Sequence, residues 1–267
     1  MQRACSNCTR TLPALEGGAS FVKLSNGADA AMFELIPGTL PKLGYVREMG
    51  KAAGELSAAI GAISVPMESP TAPYWDIFRV HHAANRDDFY ATVAGPAFDG
   101  VREATDFLVS QLRLMESSVE AFHAMKLPQS LIHGDCHVDN CLVDNGVVSG
   151  VLDFEFAAKD FRAIELAICL SKYVGEKEPL PYLLDFIAGC AERGVLTPAE
   201  VEAMPELIKL RVLSNVVYFV GRAAAGEDQL TSLTSRAEAY AARIRWVNAN
   251  GKTIRDALTQ ALLHKKQ

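Results

Sequence analysis

Apolar and polar positions change period along the chain, and the change divides it into a short strand-forming start and a long helical remainder. Ser20–Leu24 (SFVKL) and Ala30–Ile36 (AAMFELI) read as short strands, and Asn26-Gly27 between them is a strong hairpin turn. Pro37-Gly38 ends the second strand. Val46, Met49, Ala53, Leu56 and Ile60 then recur at three- and four-residue intervals, as on one face of a helix. The passage from sheet to helix falls near residue 40. From Ser64 to Asp99 proline and aromatic residues mix without a sustained period, which predicts a long connection with short helical pieces. Ala104, Leu108, Leu112, Met115, Val119 and Phe122 restore the helical stripe up to Lys126, where Leu127-Pro128 stops it.

The next forty residues break the pattern again. Leu131-Ile132, Cys141–Val143 and Val147–Leu152 are brief apolar runs, with Asp144-Asn145-Gly146 as a hairpin turn between the last two. Everything after Phe161 is helical in pattern, with helices expected near 162–173, 180–193, 198–222 and 232–248 and a break at Asn250-Gly251. Thr197-Pro198-Ala199-Glu200 combines a capping box with proline at the first helical position. With no internal repeat and no Gly-, Ser- or Pro-rich linker, the chain reads as an α+β fold: a small β piece joined to a mainly helical body.

Composition narrows the function. At 267 residues, 49% hydrophobic and 22% charged, the chain can bury a sizeable core, and disorder is not expected. A formal charge of −6 supplies no basic field for a polyanion, so nucleic acid is not an expected partner. No apolar run approaches the roughly 20 residues of a membrane span, and the first residues lack a secretory h-region; a cytoplasmic protein without a membrane partner is expected. Cys5 and Cys8 are spaced like half of a zinc site but have no second pair, and they read as ordinary thiols. Cys136, Cys141, Cys169 and Cys190 read as core residues. Nothing in the pattern sets an oligomeric state.

Candidate chemistry concentrates in Leu131–Leu170. His133-Gly134-Asp135 is followed five residues on by Asn140, and Asp153-Phe154-Glu155 comes just past the expected hairpin. Phosphoryl transfer requires a carboxylate to orient and deprotonate the attacking hydroxyl, and oxygen ligands for the magnesium that neutralises the phosphates; this segment supplies both. Two other readings compete. His133, Asp135, His137 and Asp139 alternate, so on an extended strand they would share a face and imitate a metal-hydrolase site. Asp135 and Asp153 are also the kind of turn aspartates that cap nearby amides. His81-His82 reads as exposed surface, and Arg211, Arg222, Arg236, Arg243 and Arg245 sit on expected helices, where surface ion pairs are the ordinary role. One or two of those arginines facing the cleft would suit a substrate carboxylate, and helical spacing does not choose which.

The combined pattern resembles the aminoglycoside phosphotransferase and choline kinase superfamily. His133-Gly134-Asp135 with Asn140 matches its H-G-D-x-x-x-x-N, Leu152-Asp153-Phe154-Glu155 its second element, and Lys159–Ala167 its third, with Lys for Gly, Phe for Pro and Glu for Asp. The form H-G-D-x-H-x-D-N and the stretch Leu210–Phe219 are similar to the homoserine kinase-like branch. The resemblance implies a protein-kinase-like fold, with residues 1–40 as a remnant of the ATP-binding lobe and its hinge and residues 41–267 as the helical lobe. It implies Asp135 as the catalytic base with His133 supporting it in the catalytic loop. It further implies Asn140 and Asp153 as magnesium ligands, Asp139 and Glu155 as their neighbours, and the backbone of Glu34, Leu35 and Ile36 as the adenine-binding edge. ATP and Mg2+ are the implied cofactors, and the implied partner is a small hydroxylated metabolite, such as homoserine or a related amino acid or amino alcohol.

The family's glycine-rich loop and phosphate-binding lysine precede the hinge, and residues 1–30 contain neither a G-x-G-x-x-G nor a V-A-I-K-like strand. Relative to the family pattern the sequence is expected to be truncated at its start. Lys23, one hairpin before the hinge, is a poor replacement for that lysine. The alternative expectation is therefore a catalytically weak binding or regulatory protein.

Overall fold

The computed structural model describes residues 11–12, 21–64, 71–193 and 196–263. Cys5 and Cys8 lie outside them. The chain opens with β1 (Thr11–Leu12), β2 (Val22–Lys23), β3 (Asp29–Ala30) and β4 (Met32–Phe33), paired antiparallel as β1 with β4 and β2 with β3. The expected hairpin forms, with Val22 opposite Ala30 and the turn closed by Gly27 at φ +85° and by the Asn26 side chain accepting from Ala28 N–H at 3.0 Å. The single strand expected over 30–36 is instead divided at Ala31, because β3 faces β2 whereas β4 faces β1.

The helical part contains α1 (Val46–Gly61), α2 (Arg86–Val93) and α3 (Arg102–Ala124). The Asn85 side chain caps α2 by accepting from Asp88 N–H at 2.9 Å. Four strands follow, β5 (Gln129–Ile132), β6 (Cys141–Asp144), β7 (Val147–Val151) and β8 (Ala158–Phe161). β6 and β7 form the expected hairpin, with Asn145 at φ +48° and Gly146 at φ +86° in its turn. β8 was not expected: it pairs with β5 from Gln129–Phe161 to Ile132–Ala158, and a buried Asp160 interrupts the apolar alternation that would have announced it.

The chain finishes with α4 (Ile164–Tyr173), α5 (Pro179–Cys190), α6 (Pro198–Ala224), α7 (Thr231–Thr234) and α8 (Ala237–Leu258), then a π turn over Thr259–Leu263. Thr197 and Glu200 form the expected capping box at the start of α6. α4 is buried on nearly every side and packs on α6, which packs on α8; together with α1, α3 and α5 they enclose the core. The break expected at Asn250-Gly251 is absent. α8 runs through it because Ile244, Val247, Ile254 and Leu258 are buried against the body and Gly251 abuts Pro205 of α6, an anchorage that outweighs the ~1 kcal/mol helix penalty of a glycine. Among the described residues no helix is long and apolar enough to cross a membrane.

α1 and α5 cross at two glycines. A methyl group on Gly50 would collide with the Phe186 carbonyl oxygen, and one on Gly189 with that of Arg47. Backbone atoms cannot move aside as a side-chain tip does. Gly50→Ala is expected to lower stability by about 2–3 kcal/mol in urea titrations, whereas Gly44→Ala, with open space around it, leaves the midpoint nearly unchanged.

Candidate active site

The segment between β5 and β6 is held from four sides. Glu165 of α4 accepts from His133 N–H at 2.5 Å, and the Tyr74 hydroxyl donates to the Gly134 carbonyl at 2.6 Å. Gly134 sits at φ +84°, where a side chain would also strike the Phe156 carbonyl. His133 is fully buried: Nδ1 accepts from Asp135 N–H at 3.2 Å, and Nε2 lies 2.9 Å from the Leu152 carbonyl, to which it donates in that tautomer. Burial holds its imidazole below the ordinary range, which keeps it neutral. His133 therefore positions the loop and has no ring nitrogen left for a reacting group.

Asp135 emerges from this scaffold with both oxygens engaged. Oδ1 accepts from Arg211 Nη2 at 2.6 Å; Oδ2 accepts from Asn140 Nδ2 at 3.0 Å and lies 3.2 Å from His137 Nε2. His137 Nδ1 accepts from Asp139 N–H at 3.1 Å, so Nε2 carries the proton it donates. Burial by itself would raise the Asp135 carboxyl. The hydrogen bond from His137 and the charge of Arg211 outweigh it and hold the group below the usual carboxylate range. The stretch is a loop with a short 3-10 turn at Val138–Asn140, not a strand. The strand required by the metal-hydrolase reading does not form: His133 turns into the core onto the Leu152 carbonyl, and His137 sits between the carboxylates of Asp135 and Asp139 at 3.2 and 3.3 Å.

Asn140 and Asp153 are tied together through Leu152, whose N–H donates to the Asn140 carbonyl at 2.9 Å and whose carbonyl receives the His133 ring. Asp153 adopts φ +64°, a left-handed conformation rare for a residue with a side chain, and its carboxylate is exposed with no hydrogen bond or ion pair among the described residues. Asn140 spends its amide nitrogen on Asp135, which leaves Oδ1 as its free end. Burial, then the charges of Asp153 and Asp135, raise the Glu155 carboxyl. Free oxygen donors within a concentration of negative charge fit a hard divalent cation such as magnesium, and no nitrogen or sulfur ligand is offered.

The expected hinge lies on the β6–β7 hairpin. Thr39 and Val143 exchange backbone hydrogen bonds of 3.0 and 2.8 Å, Ser149 Oγ donates to the Pro37 carbonyl at 2.7 Å, and Gly150 leaves room for Ile36. Glu34 and Leu35 are exposed, Leu35 at 95%, and among the described residues the backbone groups of 34–36 form no hydrogen bonds. Lys23 pairs with Asp29 at 2.8 Å on the surface. Asp135 lines a cavity of about 280 Å3 with an aromatic wall that includes Tyr74, Phe156 and Tyr218, and with Lys172, Arg211 and Arg236 among its lining.

The sequence profile of the phosphotransferase enzyme family matches residues 18–201. The chain belongs to the phosphotransferase enzyme family. Homoserine kinase of Gluconobacter oxydans is 34% identical over 122 residues, which are 42% of this chain and 39% of that protein. Homoserine kinase of Rhizobium meliloti is 27% identical over 217 residues, 76% of this chain and 59% of that protein. The alignments thus span less than two thirds of these curated relatives. An aminoglycoside phosphotransferase from Alicyclobacillus acidocaldarius superposes with a TM-score of 0.63 at 15% identity over 97% of this chain and 80% of its own, a likeness of fold.

Three features of this chain were not read from the sequence. Arg211, one of five helix arginines among which spacing did not choose a cleft residue, is buried and bound to Asp135; only its position on α6 relative to the loop between β5 and β6 singles it out. Tyr74 lies in the aperiodic connection, yet its N–H donates to Asp160 at 2.5 Å while its hydroxyl holds Gly134. The exposed pair expected at His81-His82 holds for His82 alone: His81 is buried against Gly221 with Nε2 3.1 Å from Glu227 Oε2.

Two buried acids beneath the site are expected to make the stability of this chain depend on pH. Burial raises both the Asp160 and Glu165 carboxyls to about 7, against the pull of backbone N–H donors. Each group binds its proton more tightly folded than unfolded. Its stabilising contribution is therefore whole below about pH 4 and is lost as pH rises towards 7, on the order of 3 kcal/mol per carboxyl. The urea midpoint is expected to fall between pH 4 and pH 8, and Glu165→Gln to remove roughly half of that fall; a flat profile would contradict the assignment.

Proposed function

We propose that this chain transfers the γ-phosphoryl group of ATP to the hydroxyl of a small metabolite, with homoserine or a related amino acid as the first acceptor to examine. The observation that carries the reading is Asp135, a carboxylate gripped by its own loop at 3.0 Å from Asn140 Nδ2 and opening into a cavity of metabolite size. The acceptor oxygen attacks the γ-phosphorus as the bridging P–O bond to ADP breaks, with that electron pair leaving on ADP. The hydroxyl proton passes to the Asp135 carboxylate. Asn140 Oδ1 and the Asp153 carboxylate would hold Mg2+, which supplies charge neutralisation to the phosphate chain. Among the described residues the backbone groups of 34–36 form no hydrogen bonds, which supports an adenine site there and with it the division into a hinge piece, residues 1–40, and a helical lobe, 41–267.

ADP release measured with ATP, Mg2+ and an acceptor panel tests the proposal. Release that requires both homoserine and the metal is expected. A folded chain that releases no ADP with any acceptor would sink it. A second reading, nucleotide binding with little transfer, is favoured by Lys23, whose ammonium is committed to Asp29 at the surface. Stabilisation by Mg·ATP without turnover selects that reading.

A further inference from the structure

Arg211 is a buried charged group of the cavity with one donor left unmatched. Its Nη2 holds Asp135 Oδ1 at 2.6 Å, Nη1 donates to Asn215 Oδ1, and the guanidinium lies 5.2 Å from the centre of the Tyr74 ring. Nε is buried with no hydrogen-bond partner among the described residues. A guanidinium is strongly stabilised by planar, two-toothed acceptors, and here one of its donors has none. The surroundings increase the demand for negative charge. Lys172, which also pairs with Asp139 at 3.6 Å, and Arg236 line the same cavity, so its lining holds three cations and one carboxylate, Asp135. Burial, followed by the charge of Arg211, holds the Lys172 ammonium below its usual range.

The same ion pair blocks the chemistry. An oxygen that accepts a charge-assisted bond from a guanidinium is a poor acceptor for a second proton, and the other oxygen of Asp135 already serves Asn140 and His137. The base is masked by the residue best suited to recognise an anion.

We propose that Arg211 is a latch released by the acceptor's own carboxylate: a hydroxy acid entering the cavity draws the guanidinium from Asp135 Oδ1 and frees that oxygen for the substrate hydroxyl. Recognition of the anion and exposure of the base then become one event. An amino alcohol without the acid group enters but leaves the latch closed. The inference rests on the phosphotransferase reading for its chemistry, but its binding part does not require turnover.

Two fragments of homoserine separate these effects: 4-hydroxybutanoate keeps the acid and lacks the amine, and 3-aminopropanol keeps the amine and lacks the acid. Calorimetric titration of the full chain without ATP is expected to give at least about tenfold tighter binding of the acid than of the amine, a preference lost in Arg211→Gln. Asp135→Asn, which gives Arg211 no carboxylate to leave, is expected to bind 4-hydroxybutanoate several-fold tighter than the wild type. That gain should vanish in the double variant, as coupled residues require. Equal binding of the two fragments, or no gain in Asp135→Asn, overturns the latch. A gain that persists in the double variant also overturns it, since the effect is then general repulsion by Asp135. Should Arg211→Gln fail to fold, the wild type and Asp135→Asn decide. ADP release is read in parallel. Homoserine turnover with none of this binding pattern removes the latch alone, whereas the pattern without any turnover removes the kinase reading alone.

Discussion

Asp135→Asn is expected to lower phosphoryl transfer by about a thousandfold or more while the chain stays folded and still binds Mg·ATP. The substitution keeps an oxygen for Arg211 but removes the group that takes the hydroxyl proton. An amide cannot accept that proton at neutral pH, and it no longer fixes the acceptor through a charged hydrogen bond. The structural cost is modest because the side chain is isosteric, although its nitrogen now confronts Asn140 Nδ2 and His137 Nε2, both donors to the present carboxylate. A loss of about 1–3 kcal/mol follows. Asp135→Ala is a worse test, since it strands a buried guanidinium and is expected to cost about 3–5 kcal/mol. ADP release and the Mg·ATP-induced shift in melting temperature should be measured on the same preparation. Turnover equal to the wild type would end the assignment of Asp135 as the base. Loss of both activity and nucleotide binding would point instead to a collapsed loop.

The candidate loop between β5 and β6 stood out in the sequence because its motif is local. His133, Asp135 and Asn140 lie within eight residues, and the hairpin that carries Asp153 declares itself through Asn145-Gly146. The capping box at Thr197 and the stripes of α1 and α3 were legible for the same reason, since each is set by neighbours three or four residues apart. Features that depend on distant partners were not. β8 exists because Ala158–Phe161 finds β5 some thirty residues earlier, and its buried Asp160 looks like a surface residue until Tyr74 is brought against it. The same limit applies to Arg211. On α6 it occupies an ordinary helical position, and only the packing of α6 under the loop between β5 and β6 singles it out from the other helix arginines as the partner of Asp135, 76 residues away. Asn250-Gly251 shows the opposite error, a strong local signal for a break that burial of α8 overrides.

Asp153 allows function and stability to be separated in one position. A residue with a side chain at φ +64° carries a backbone strain of about 1–2 kcal/mol, and here the exposed carboxylate also lies near the like charge of Glu155. Glycine removes both penalties at the price of a looser unfolded chain, roughly 0.5–1 kcal/mol. Asp153→Gly is therefore expected to be at least as stable as the wild type in metal-free buffer, and about 1 kcal/mol more stable than Asp153→Ala, which keeps the strain. Both variants are expected to lose phosphoryl transfer by about a thousandfold and to show no magnesium-dependent stabilisation by ATP. Thermal melts with and without Mg·ATP, paired with ADP release, check this directly. A stable Asp153→Gly protein that retains magnesium-dependent turnover would show that this carboxylate is not a metal ligand. A marked loss of stability in Asp153→Gly would mean that the side chain, like those of Asp160 and Glu165, is part of the scaffold instead of the site.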